Sequence, residues 1–85
     1  MFPIEYSAEA LRTLRRMPAN INCLIRRKIE GLAADPFAVN VNVRPLRGRS
    51  GYRLRVGDWR VIYEIGADPR VMRVMEIGPR GSVYK

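Results

Sequence analysis

The chain is expected to fold as an α+β domain, with an N-terminal strand and a two-helix hairpin packed on one face of a small antiparallel-rich sheet. Three observations predict this. Apolar residues recur at helical spacing from about residue 8 to 34, and period-two alternation takes over from about residue 43. The order is strand, two helices, then a run of strands, which segregates the helices to one side of a sheet.

The opening FPIEY alternates weakly and reads as a short strand. Ser7 is placed to cap a helix over 8–17, with Glu9 in its first turn and Arg15 and Arg16 in its last, a charge order that suits the helix dipole. Leu11 and Leu14 give this helix one apolar side, and Pro18 separates it from a second helix over 19–34. Along the second helix Ile21, Leu24, Ile25, Ile29 and Leu32 form the inward stripe, while Asn22, Arg26 and Glu30 point away. A tight joint between two short helices predicts an antiparallel pair. Asp35 and Pro36 end the second helix.

Extended structure follows. A short strand is expected over 43–47, where Pro45 suits a sheet edge. Arg47, Gly48, Arg49, Ser50 and Gly51 form a basic connection to the best-defined part of the chain. In GYRLRVGDWRVIYEI, Tyr52, Leu54 and Val56 share one face and Arg53 and Arg55 the other. Gly57 and Asp58 supply a two-residue turn of type II′. Beyond it Trp59, Val61, Tyr63 and Ile65 face one way, and Arg60, Ile62 and Glu64 the other.

That turn predicts a register in which Val56 pairs with Trp59, Arg55 with Arg60, Leu54 with Val61 and Arg53 with Ile62. Like charges directly opposite destabilise a sheet, so the pair Arg55 and Arg60 asks for an anion between them. Asp58 and Glu64 are the carboxylates near them in sequence. A last strand is expected over 71–78, with its faces less cleanly divided because strict alternation puts Arg73 and Glu76 on opposite sides.

Composition narrows the functional classes. At 85 residues the chain is read as a single domain spanning 1–85, and a hydrophobic fraction of 47% separates it from a disordered tail. The net charge is +8, and only Lys28 and Lys85 of the 16 basic residues are lysine, leaving 14 arginines. The planar guanidinium fork fits phosphate, so a polyanionic partner is expected. With no histidine and one cysteine, the imidazole-base, triad and usual zinc-site sets are absent. The lone Cys23 fits a reducing cytoplasm, and no apolar run or leader-like N-terminus points to a membrane. Trp59 and Tyr63 read as core side chains, and Arg26, Arg27 and Lys28 as a solvated helix face.

The segment PLRGRSGYRLRVGDWRVIYEI, followed by another strand and IGPRGSVYK, resembles the RelE/ParE superfamily of bacterial toxins, the toxin halves of type II toxin–antitoxin systems. The resemblance rests on a Leu-Arg-Gly opening, a basic strand led by Tyr52, a short turn into Trp59-Arg60, and a C-terminal Arg followed by Tyr. It covers essentially the whole chain and implies a RelE-like fold. In the superfamily, ribosome-dependent messenger RNA endonucleases carry basic residues on the central strands and an Arg…Tyr pair near the C-terminus. The gyrase-poisoning branch generally lacks that set.

The matching positions here imply an endoribonuclease with Arg55, Arg60, Arg80 and Tyr84 as catalytic residues, and Arg53, Arg47 and Arg49 on the RNA phosphates. The implied chemistry is attack by the RNA's own 2′-hydroxyl, needing no metal and no cofactor. Family members often place a lysine or glutamate on the strand, or a histidine before the C-terminal arginine, where this chain has arginine and Pro79. A guanidinium cannot readily accept a proton at neutral pH, which leaves Tyr84 or Glu64 as the base. The implied partners are messenger RNA on the ribosome, ribosomal RNA, and a cognate antitoxin. The antitoxin is expected to be acidic and partly helical, wrapping the basic sheet or displacing the C-terminal tail. Two alternatives remain: a non-catalytic poison of DNA gyrase, and a non-toxic basic binding module.

Overall fold

A computed structural model describes residues 1–79. The elements are β1 (Ile4–Tyr6), α1 (Ala8–Arg16), α2 (Ala19–Ala34), β2 (Val43–Pro45), β3 (Tyr52–Val56), β4 (Trp59–Ala67) and β5 (Arg70–Pro79). The strands form one sheet in the order β1-β5-β4-β3-β2, with β1 parallel to β5 and every other pair antiparallel. No helix among the described residues is long and apolar enough to cross a membrane.

Ser7 starts α1 as expected. Its hydroxyl accepts from the Ala10 amide at 3.0 Å and thereby satisfies one of the donors that a helix N-terminus leaves open. At the α1–α2 joint, Asn22 Nδ2 donates to the Leu14 carbonyl at 2.8 Å, and the Pro18 carbonyl accepts from the Ile21 and Asn22 amides. One polar side chain thus closes the end of the first helix from within the second.

Ile25, Ile29 and Leu32 are buried as the helical stripe requires, but Leu24 is 42% exposed. The buried arc is centred on Ile25, Ile29 and Leu32–Ala33, which leaves Leu24 on the outer flank. Arg26 is not simply solvated. Its guanidinium lies 5.3 Å from the centre of the Tyr6 ring while its Nε donates to Asn22 Oδ1 at 2.9 Å. Tyr6 sits beneath it with a raised phenol pKa, caused first by burial and secondarily by Glu30, against the lowering effect of Arg26.

The β3–β4 hairpin has the register the sequence predicts, from Val56 opposite Trp59 to Arg53 opposite Ile62. Gly57 takes φ +59 and no non-glycine residue among the described ones has positive φ, the combination a type II′ turn demands. β2 stops at Pro45, short of the expected Arg47. Leu54, Val61 and Tyr63 join Leu14, Ile25 and Ile29 in the core, and Trp59 packs half-buried against it.

β5 departs from plain alternation. Val61 pairs with Ile77 and Ile62 with Glu76, but Tyr63 pairs with Val74, so Met75 is an extra residue in the ladder. Met72 and Val74 face the core before this bulge, and Ile77 does so after it. Arg73 and Glu76, expected on opposite sides, therefore share the outer face.

Candidate functional site

The sheet face turned away from the helices is ordered by the strand pairing. Nearest the β3–β4 turn, Arg55 stands opposite Arg60, and Arg60 opposite Gly78. The adjoining row on this face runs Arg44, Arg53, Ile62, Glu76. Farther along, Glu64 pairs with Arg73 and Arg73 with Glu5. Charge therefore grades across the face, from arginines on β2, β3 and the start of β4 to alternating signs on β5 and β1.

The arginines differ in access. Arg55 is exposed, Arg53 half-buried, and Arg60 only 8% exposed. Arg60 Nη1 donates to the Trp59 carbonyl at 3.3 Å. A guanidinium held so deep keeps its charge, and any anion that reaches it escapes much of the screening that weakens surface pairs. Gly78 adds no side chain on the β5 side of Arg60, and Ile62 is buried in the next row, flanked by Arg53 and Glu76.

Arg49, in the β2–β3 connection, brings its Nη1 to 3.9 Å from Glu76 Oε1. This carboxylate was not singled out from the sequence. The signal was present in VMRVMEIG, where the two adjacent apolar residues Val74 and Met75 and the mismatched Arg73 and Glu76 mark a skipped position. Gly51 closes the same connection at φ +110, and a Cβ there would stand 2.9 Å from the Tyr63 carbonyl. Only glycine fits that approach.

Arg47 is exposed in the β2–β3 connection. Glu64 lies toward the other end of β4, where it lines a cavity of about 480 Å³ with Ser50, Tyr52, Phe2 and Arg70. Arg80 and Tyr84 lie outside the described residues. The structure thus brings Arg53, Arg55 and Arg60 together on one face with Arg49 and Glu76 beside them. Guanidinium donors fixed on a sheet are suited to a phosphate group, because they need little reorganisation to meet its charge.

The family model for the ParE toxin of type II toxin–antitoxin systems, parDE, matches residues 4–84. The chain belongs to this family. Within the wider RelE/ParE superfamily, the toxin is 28% identical over 86 residues to a candidate toxin, RelE1, of Methanocaldococcus jannaschii, covering 99% of this chain and 96% of the relative. Its fold matches the RelE of an archaeal RelE–RelB complex from Pyrococcus horikoshii OT3, with a TM-score of 0.81 at 24% identity over 95% of this chain and 97% of the other. The isolated E. coli RelE toxin superposes with a TM-score of 0.79 at 20% identity, covering 99% of this chain and 92% of that one. The expected RelE-like α+β fold is the observed one. The protein is thus a toxin of the RelE/ParE type.

Proposed function

We propose that the toxin is a ribosome-dependent endoribonuclease that cleaves messenger RNA and so stops translation. The observation that carries this reading is the arginine pair on the outer face, Arg55 opposite Arg60, with Arg53 in the adjoining row. Such a cluster suits a scissile phosphodiester.

In this reading the 2′-oxygen attacks the adjacent phosphorus while the bond from phosphorus to the 5′-oxygen breaks. The 2′-hydroxyl gives its proton to a base and the 5′-oxygen gains one, leaving a 2′,3′-cyclic phosphate and a 5′-hydroxyl. Arg55 meets the phosphate from solvent, and Arg60 supplies charge from the sheet as the phosphorane forms. Arg80 would stabilise charge on the phosphate or the leaving oxygen, and Tyr84 would stack on a base or orient the attacking hydroxyl. Arg47, Arg49 and Arg53 contact the RNA backbone. Glu76 joins Glu64 and Tyr84 as a candidate base, since it shares the face with the arginines. The ribosome supplies the remaining positioning.

The corresponding partner is a cognate antitoxin, acidic and partly helical, that covers the arginine face. The RelE from Pyrococcus horikoshii is seen in complex with RelB, and the charge of +8 on this chain favours an acidic partner. Both partners meet in the cytoplasm.

The test is induced expression of wild type beside Arg55→Ala, with messenger RNA 5′ ends mapped. Growth arrest with in-frame cuts in wild type, lost in the variant, supports the reading; arrest with intact messages refutes it. The match to the ParE model favours a second reading, poisoning of DNA gyrase. A supercoiling assay with purified gyrase separates the two, because only the second predicts accumulation of cleaved DNA complexes.

A further inference from the structure

β3 begins at Tyr52, opposite Tyr63, so β4 runs on from Glu64 to Ala67 beyond the end of its neighbour. The cavity of about 480 Å³ opens along this stretch, and Phe2, Phe37 and Tyr52 give it aromatic walls. Each ring is held in place. The Phe2 amide donates to the Ala33 carbonyl at 2.9 Å, the Phe37 ring meets Phe2 edge to face at 6.0 Å, and Tyr52 stacks on buried Tyr63. The volume falls within the span of small-molecule sites, about 300–1,000 Å³.

Three polar side chains join the rings: the Glu64 carboxylate, the Arg70 guanidinium and the Ser50 hydroxyl. Glu64 is half-buried, yet it makes no ion pair or side-chain hydrogen bond with another described residue. Its ladder neighbour Arg73 turns instead to Glu5, with Nε 3.4 Å from Oε1. In a chain with 16 basic residues against 8 acidic ones, a carboxylate left without a partner on a cavity wall is set for the donors of a ligand. Gly51 keeps that wall clear, since a Cβ there would stand 3.3 Å from Glu64 Cγ. At the exposed rim Arg70 lies over the Phe2 ring, 5.0 Å from its centre, and a guanidinium stacked in this way keeps its in-plane donors for an anion.

We propose that this cavity binds the guanine base of a guanosine 5′-phosphate, with the Glu64 carboxylate accepting from its N1–H and N2–H groups and Arg70 meeting the phosphate. The rings suit a flat base, which stacks on them whatever its identity. The carboxylate makes the choice among bases, because an ionised carboxylate only accepts. Guanine offers it two adjacent donors. Adenine sets one donor beside an acceptor, and uracil sets its single N–H between two carbonyls, so both place a lone pair against Glu64. A cationic aromatic ligand would also suit rings and a carboxylate, but the net charge of +8 and Arg70 at the rim repel it and draw an anion. The site is separate from the arginine pair: Arg60 lies four residues back along β4, about 13 Å at the usual strand rise. The proposal therefore goes beyond the endonuclease reading and holds equally if gyrase is the target.

The experiment titrates the purified full chain with the 5′-monophosphates of guanosine, inosine and adenosine by calorimetry, beside Glu64→Gln and Arg70→Ala. The guanosine nucleotide is expected to bind at least about tenfold more tightly than the inosine nucleotide, which lacks the 2-amino donor, and the adenosine nucleotide more weakly still. Glu64→Gln is expected to lose this preference, and Arg70→Ala to weaken the guanosine nucleotide while leaving unphosphorylated guanosine unchanged. The preference is a ratio within one protein, so a general loosening of the fold lowers every affinity without moving it. The trinucleotide ApGpA identifies the source of the base: tighter binding than the mononucleotide assigns the site to an RNA strand, weaker binding to a free nucleotide, and either supports the proposal. Equal affinity for the guanosine and adenosine nucleotides, no binding of either, or a preference that survives Glu64→Gln overturns it.

Discussion

The hydroxyl of Ser7 donates to the carbonyl of Met75 at 2.5 Å while accepting from the Ala10 amide at 3.0 Å. One side chain therefore caps α1 and secures the bulge that turns Glu76 toward the arginine face. The Ser7 amide adds a bond to the Val74 carbonyl at 2.9 Å, so the helix start and the bulge are joined at two consecutive carbonyls. Ser7→Ala removes the cap and one acceptor's partner. The expected loss is about 1–2 kcal/mol, a fall in Tm of at least about 4 °C for a domain of this size, measured by thermal and urea unfolding.

Arg55→Ala is expected to leave stability unchanged or slightly raised, because the residue is exposed and stands opposite a like charge. On the endonuclease reading its cleavage of messenger RNA falls by about 10²-fold or more. Ribosome-bound cleavage and urea unfolding on the same preparation check both halves. Unchanged cleavage would remove Arg55 from the site.

Glu76→Gln separates an acid–base role from a structural one. Its pairing with Arg49 spans 3.9 Å between partly exposed groups, so the stability cost is expected to stay within about 1 kcal/mol. If Glu76 accepts the 2′-hydroxyl proton, cleavage falls by about 10²-fold or more while the fold is kept. Cleavage at the wild-type rate would return the role to Glu64 or Tyr84.

Tyr63 stacks on Tyr52 with ring centres 5.5 Å apart, and its buried hydroxyl has no hydrogen-bond partner among the described residues. Burial, with Tyr52 beside it, pushes the phenol up from 10.0 to about 12. The folded state therefore holds this proton after the unfolded chain has lost it. The stability this contributes is whole below pH 10 and is lost as the pH climbs through 12, on the order of 1–3 kcal/mol. Tyr63→Phe is expected to match or exceed wild-type stability at neutral pH, since no bond is lost, and to flatten the decline between pH 10 and 12 in urea unfolding.

Much of the molecule is legible in local pattern. The bounds of α2, the Ser7 cap, the Gly57–Asp58 turn and the full β3–β4 register follow from periodicity and turn chemistry, interactions among residues close in the chain. The juxtaposition of Arg55 and Arg60 follows from that register. Leu24 and Arg26 were less legible, because a helical period gives the direction of the buried arc but not its edges, which packing sets.

By itself, then, the sequence determined a strand, two helices and a hairpin that sets two arginines opposite each other, since each depends on contacts spanning a few residues. Tertiary structure decided the parallel union of β1 with β5, the depth of Arg60, the reach of Arg49 to Glu76, and the skipped position at Met75. The physical reason is that alternation is a local property with a period of two, while a bulge reverses it through bonds made at a distance. Here Ser7 supplies such a bond from 68 residues away.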